Sequence, residues 1–359
     1  MTIEAYVKVR QLALAREIAP RRKLYLDLNF WIRLRDAALG LPTDTPTTTL
    51  LSLLRQGVGD GKLICPIGDN VFQEVMKQPY SEDRRIGMAR LIDELSLGVS
   101  FLVSDRRLGT EIYIALHRLL DRPGVLHPMQ ELVWTKVCHV IGEAFPVLEG
   151  LDPEALLDLQ RDVVDDLWAC SFQEMIERIG NQPRAQDPHQ ALSEETNRER
   201  DAHVADITSY ARAYKIELRG GVDACGKLAA DALCGMAESD GFTAPRFGEP
   251  DWMEMKTLGT AMLLRAFDKQ DAADVVRTLH IETSLHAAMR VDKARRFKPN
   301  DFYDFRHAAA ALAYCDAFFT EGPLCDLVSR RQLGLLGIND CRVATDVEDA
   351  LGVTQSLIA

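Results

Sequence analysis

The sequence predicts an α/β protein whose parallel sheet is interrupted by a large all-helical insertion. Strand-like and helix-like patterns alternate over residues 1–80 and again over 292–359. Such alternation is what a parallel sheet with crossover helices requires. Between the two ends, residues 81–291 read almost throughout as helix. A chain of 359 residues has room for both a sheet domain and an insertion. Three segments are therefore expected: 1–80 as the first half of the sheet domain with a leading helix, 81–291 as the insertion, and 292–359 as the second half.

The elements follow from local patterns. After an amphipathic N-terminal stretch, Lys23-Leu-Tyr-Leu-Asp-Leu-Asn29 reads as a buried strand passing into a helix over Phe30–Leu39. Leu41–Pro46 is a turn, and Thr47–Gln56 has helical spacing. Gly61–Ile67 reads as a second strand, and the polar start Gly68-Asp-Asn70 opens a helix carrying Phe72, Glu74 and Val75. Helical spacing recurs over 88–97, 112–120, 132–140, 156–179, 258–267 and 275–289. Val99–Val103 is the one strand-like exception, while Asn181–Pro188 and Gly241–Pro250 read as loops. The α/β pattern returns with a helix start at Lys298–Asp301 and an Ala-rich helix over Asp304–Tyr314. A strand over Ala317–Thr320, a helix over Pro323–Arg331, a strand at Cys341–Val343 and a terminal helix over Val347–Leu357 complete it.

Composition narrows the function. Forty-two basic against fifty-four acidic residues give a net charge of −12, which argues against binding nucleic acid over the whole surface. From Glu149 to Glu177, nine acids face only Arg161, so that stretch repels phosphate. The eight cysteines form no C-x-x-C pair, and there is no H-E-x-x-H, G-x-G-x-x-G, P-loop or G-x-S-x-G. Buried, reduced thiols are expected. With no apolar run long enough for a bilayer and a charged N-terminus, a cytoplasmic protein without a membrane partner is expected.

Four carboxylates stand where a parallel sheet would gather them. Asp27 ends the first strand, Glu74 lies one turn into the helix after the second, Asp304 opens the Ala-rich helix, and Glu321 follows the Phe318–Thr320 strand. Ligands of open α/β sheets collect beyond the carboxyl ends of the strands. Several carboxylates there repel one another unless a hard cation with oxygen ligands, Mg²⁺ or Mn²⁺, sits among them. Plainer roles exist for each: Asp304 as a helix cap, Glu74 as an exposed helical residue, Glu321 as a turn residue. Asp27 interrupts an apolar strand and needs a partner in any reading.

Around them lie further candidates. Asn29 either binds a water on a bound cation or caps the following helix. Asp301 reads as an N-cap or as a fifth acid. Thr320 either hydrogen-bonds a phosphate or a carboxylate or simply ends its strand, and His307, one turn after Asp304, reads first as a satisfied core histidine and second as a residue facing the site. Arg295, Arg296 and Lys298, with Lys293, precede Asp301 and Asp304 and offer contacts to substrate phosphate, as do Arg33, Arg35, Arg84 and Arg85. Asp316 is expected on the far side of its strand junction. Glu111 has no readable place.

Tyr25-Leu-Asp-Leu-Asn29 with Trp31, Cys65-Pro66 followed by Glu74, and Asp304-Phe-Arg-His-Ala-Ala-Ala together resemble the PIN-domain nucleases. The most specific stretch is Asp304 through Cys315-Asp-Ala-Phe-Phe-Thr-Glu321. The resemblance covers about residues 20–80 and 295–350, under half the chain. It implies a three-layer α/β/α sandwich and Mg²⁺ or Mn²⁺ held by Asp27, Glu74, Asp304 and Glu321. It also implies cleavage of RNA in preference to DNA, with a toxin or defence effector as one setting. Two departures stand out: Glu321 occupies a position where aspartate is usual, and a long helical segment separates the second and third acids. The expected function is a metal-dependent endoribonuclease acting through a cation-activated water. The alternative is a non-catalytic PIN-like scaffold that binds a protein partner, or another copy of itself, through the helical region.

Overall fold

A strand that is apolar on both sides demands a sheet covered on two faces. Leu24, Tyr25 and Leu26 make such a strand, each completely buried. The computed structural model describes residues 1–78, 81–124, 126–180, 187–203, 207–269 and 271–359. Its strands are β1 (Arg22–Leu26), β2 (Leu63–Ile64), β3 (Val99–Phe101), β4 (Trp134–Lys136), β5 (Ala317–Phe319) and β6 (Arg342–Ala344). The protein is mixed α/β, with a four-stranded parallel sheet ordered β2-β1-β5-β6. The two ends of the chain thus share one sheet. Leu24, Tyr25 and Leu26 stand opposite Ala317, Phe318 and Phe319, which stand opposite Arg342, Val343 and Ala344.

Successive strand residues point to opposite faces, and each face has its own helix. On one face Tyr25 lies 5.9 Å from the ring of Phe318 and 5.7 Å from His307 of the Pro299–Tyr314 helix. On the other, Phe319 lies 5.4 Å from Phe30 of the Leu28–Ala38 helix. The Thr45–Gly59 helix packs against both the Leu28–Ala38 helix and the C-terminal Val347–Ile358 helix.

The middle of the chain departs from its expected helices in two places. Leu132–Val140 is not a helix: Met129–Leu132 is a short one, followed by β4 and a 3₁₀ turn over Val137–His139. Val133-Trp134-Thr135 is rich in strand formers, and tertiary pairing decides between two periods that a short apolar run fits equally. β4 pairs antiparallel with β3, whose Ser100 bridges in parallel to Ile67 beyond the end of β2. The segment is therefore not all helical. The expected helix over 156–179 is two, Pro153–Ala169 and Phe172–Ile179, because Ser171 and Glu174 form a capping box at the break. The loop expected at Asn181–Pro188 falls largely outside the described residues, which omit 181–186.

The main core draws on this middle segment as well as on the ends. Leu91, Ile92, Phe101, Trp134, Phe172 and Leu285 pack into it with Trp31, Phe318 and Leu312. A second core joins Ile112, Leu116, Val222, Leu233 and Leu263. The Arg277–Val291 helix serves both, with Leu279 in the second core and Ile281, Leu285 and Met289 in the first.

Trp134 stacks on Phe101 at 4.5 Å, so Trp134→Ala opens a cavity beside the sheet. The expected loss is about 3–5 kcal/mol. In urea, near-ultraviolet and far-ultraviolet circular dichroism should shift together, since β3 and β4 share the core of the parallel sheet. An unfolding step for the sheet that ignores the substitution would contradict this packing.

Candidate functional site

Parallel strands leave a cleft beyond their carboxyl ends, and β1, β5 and β6 end in register at Leu26, Phe319 and Ala344. Asp27 follows β1 directly and continues the ladder, its backbone N–H bonding Phe319 O at 3.0 Å. Thr320 and Glu321 follow β5, and Glu321 precedes the Gly322–Val328 helix. Glu74 sits in the Asp69–Lys77 helix after β2. The Ala-rich helix begins at Pro299 rather than at Asp304, which places Asp304 in its second turn. Asp27, Glu74, Asp304 and Glu321 all line one cavity of about 440 Å³, together with Asn29, Arg295, Arg296, Lys298, Asp301 and His307. A larger hollow of about 650 Å³ lies over Arg55, Arg90 and Glu94. There Arg55 pairs with Glu94 at 2.7 Å and Arg90 bonds Gln173 at 3.2 Å.

The acids differ in depth and in partners. Asp27 is 7% exposed and caps the Leu28–Ala38 helix by accepting the Phe30 N–H at 3.1 Å. The cap predicted for Asn29 thus belongs to Asp27. Burial lifts the Asp27 pKa to about 6, although the bonds from Phe30 and the Thr320 hydroxyl oppose that rise. Burial also lifts Asp304, to about 7; the nearby His307 eases the rise, and the charges of Glu74, Asp301 and Asp27 add to it. Glu74 Oε2 lies 2.7 Å from His307 Nε2. At the exposed rim the Asn29 amide donates to Glu321. Asp301 is not the N-cap predicted: it stands third in the helix, where its carboxylate reaches back to accept the N–H of Lys298, the actual N-cap, at 2.7 Å, and it lines the cavity as well.

Opposite these acids runs a basic lip, and the middle segment holds it in place. Asn197, on the Pro188–Ala202 helix, pairs with the backbone of Phe297 in both directions, at 2.8 and 3.0 Å. The Arg200 guanidinium donates to Asp292 O at 2.7 Å and to Arg295 O. Asp201 pairs with Arg296. At the other end of the same helix Asp187 bonds Lys77 at 2.8 Å, on the helix that carries Glu74. One helix therefore ties the lip to the Glu74 side of the cavity.

Other candidates lie elsewhere. Arg35 is buried and engaged with Asp36 at 2.6 Å, so it offers nothing to phosphate. Arg33 sits over the Phe30 ring. Asp316 accepts the Lys23 N–H at 2.8 Å, at the opposite end of β1 from Asp27. Glu111 is a buried tie that accepts from Thr278 N at 2.9 Å and Thr278 Oγ1 at 2.7 Å. Tyr25 and His307 were the residues least visible as parts of the site. Their signals are strand alternation, which puts Tyr25 on the Asp27 side, and the three-residue helical step from Asp304 to His307.

Among the described residues, no three His, Cys, Asp or Glu side chains close on one point from which all could ligate a bare ion. The chemistry of the donors still fits a hydrated Mg²⁺ or Mn²⁺. All are oxygens, and the two deepest are held above the usual carboxylate range by burial, a condition a cation relieves. Mg²⁺ keeps several waters and takes only one or two carboxylates directly. No family model, no curated protein and no solved structure matches this chain.

A raised carboxylate pKa marks a folded state that favours the protonated form. Its stabilising effect is full at low pH and fades as pH rises through the folded value, about 7 for Asp304. Asp304→Asn keeps the neutral shape at every pH. In EDTA its stability relative to the unmodified protein should be greater near pH 8 than near pH 5, by on the order of 1–2 kcal/mol. Thermal melts at both pH values check this; a difference between the two proteins that is no larger at pH 8 than at pH 5 would refute it.

Proposed function

We propose that this chain is a metal-dependent nuclease of PIN-like architecture that hydrolyses single-stranded nucleic acid, RNA in preference to DNA. The observation that carries the reading is the meeting of four acids from four separate chain segments with a basic lip across one cavity. The order of the acids along the chain and the parallel sheet beneath them agree with the PIN resemblance, which also supplies the preference for RNA. The cavity has room for about one nucleotide. A bound Mg²⁺ or Mn²⁺ would polarise the phosphoryl group and lower the pKa of an attacking water.

The residues divide this work. Asp27 and Asp304 are the deepest carboxylates and would hold the cation. Glu74, fixed by His307, would bind it from the second side. Glu321 is longer than aspartate, exposed and tethered by Asn29, so it would act at the rim through water. Arg295, Arg296 and Lys298 would take the neighbouring phosphates of the strand. Thr320 holds the Asp27 carboxylate. A second reading, a non-catalytic scaffold with a protein partner, is favoured by one fact. Asp27, Glu74 and Glu321 each already have a hydrogen-bond partner within the protein.

The test is a cleavage assay on single-stranded RNA, hairpin RNA, single-stranded DNA and flap DNA. Asp27→Asn or Asp304→Asn should reduce cleavage by at least ~10²-fold with circular dichroism unchanged. EDTA should abolish cleavage and Mn²⁺ restore it, while Glu321→Gln should cost less than either Asn substitution. Cleavage that survives both substitutions and chelation would remove the metal reading. No cleavage of any substrate and no Mn²⁺ binding would remove the nuclease reading and shift weight to the scaffold reading.

A further inference from the structure

Tyr25, His307 and Glu74 form a chain of hydrogen bonds leading from the core to the cavity. The Tyr25 hydroxyl lies 2.8 Å from His307 Nδ1, and His307 Nε2 lies 2.7 Å from Glu74 Oε2. Tyr25 is fully buried and His307 is 1% exposed, whereas Glu74 reaches the cavity wall. The three come from β1, the Asp69–Lys77 helix and the Pro299–Tyr314 helix. Both ring nitrogens are engaged, so the imidazole cannot rotate without breaking a bond. A carboxylate only accepts, so Nε2 must carry the proton that points at Glu74. The hydroxyl of Tyr25 can donate to Nδ1 or accept from it, and it suits either protonation state of the ring. The chain ends on a carboxylate that lines the cavity, and His307 itself lies one helical turn from Asp304.

We infer that His307 is a positioning residue for cation binding, its Nε2–H fixing one oxygen of Glu74 so that the other faces the cavity, with Tyr25 fixing the ring. The inference rests on the metal-dependent reading above and adds a role for a residue that would not itself touch the cation. Outer partners of this kind typically change metal affinity by about 10–100-fold.

Two substitutions separate positioning from packing. In His307→Gln the side-chain amide reaches roughly the place of Nε2 and keeps a donor toward Glu74. In His307→Asn the shorter amide reaches only the place of Nδ1, so the donor is lost. Mn²⁺ binding to the full chain, read by calorimetry and by the spin-resonance signal of free Mn²⁺, should weaken about 10–100-fold in His307→Asn. It should stay within about threefold of the unmodified protein in His307→Gln, although both variants lose thermal stability. Tyr25→Phe, which keeps the packing, should weaken Mn²⁺ binding by a smaller factor and serves if His307→Asn does not fold. Equal Mn²⁺ affinity in the Asn variant, or equal loss in the Asn and Gln variants, would overturn the positioning role while leaving the metal site standing. No Mn²⁺ binding by the unmodified protein would remove the metal reading and this role with it.

Discussion

Gathering carboxylates at the end of a parallel sheet costs desolvation and mutual repulsion, and the surroundings of the cavity are organised against that cost. Asp27 shows how. It is buried where β1 ends, and the strand-to-helix turn there supplies a helix N-terminus whose Phe30 N–H it accepts. That end of a helix favours negative charge. The Thr320 hydroxyl meets the same carboxylate from the neighbouring strand. Glu74 receives His307, and Glu321 receives Asn29 across the β1–β5 junction. Asp304 stands apart: burial lifts its pKa to about 7, above the value of about 6 for Asp27, so of these two it is the one with more to gain from a cation.

The long middle segment is part of the same arrangement rather than an appendage. β3 joins the sheet region through Ile67, and its Phe101 ring lies 6.0 Å from Tyr25, beneath the hydrogen-bond chain that ends on Glu74. The Pro188–Ala202 helix reaches the lip through Asn197, Arg200 and Asp201, and the helix of Glu74 through Asp187. Distant sequence thereby sets the width of the cavity. The second core, built from the Ser104–Leu119, Tyr210–Ala224 and Gly226–Ser239 helices, supports the Arg277–Val291 helix, which packs against the Pro299–Tyr314 helix carrying Asp304.

What the sequence made legible were features with a local signature. Lys23–Asn29 alternates strongly enough to show both the central strand and its turn into a helix. The acids at 27, 74, 304 and 321 could be placed because each adjoins a strand end or lies within the first turns of a helix. β4 was hidden because Leu132–Val140 satisfies a helical spacing as well as a strand one, and only its pairing with β3 decides. The helix start at Lys298–Asp301 and the Ala-rich helix from Asp304 prove to be one helix from Pro299, a residue that favours helix initiation as much as it marks a turn. The brace from Asn197 and Arg200 leaves no local trace at all. It consists of side chains meeting backbone nearly a hundred residues away. Nothing near 197 in the sequence announces that partner.

Most of the net charge of −12 arises away from this cavity, although the lining itself carries five acids against three basic residues. None of the nine acids between Glu149 and Glu177 lines the cavity, and Asp165 among them is already paired with Arg10. At physiological salt, charges more than about 8 Å apart across solvent are largely screened. A strand bound as proposed would therefore meet local charges: Arg295, Arg296 and Lys298 at the lip and the acids that line the same cavity. Arg296 is shared with Asp201, so a phosphate would have to compete with a carboxylate for that guanidinium. The lip would then attract phosphate only at short range. The acidic exterior and the acids of the cavity would both disfavour a polyanion that is not aligned with the lip. Attraction confined to one edge, with repulsion around it, would make binding of the proposed substrate depend on how the strand is oriented.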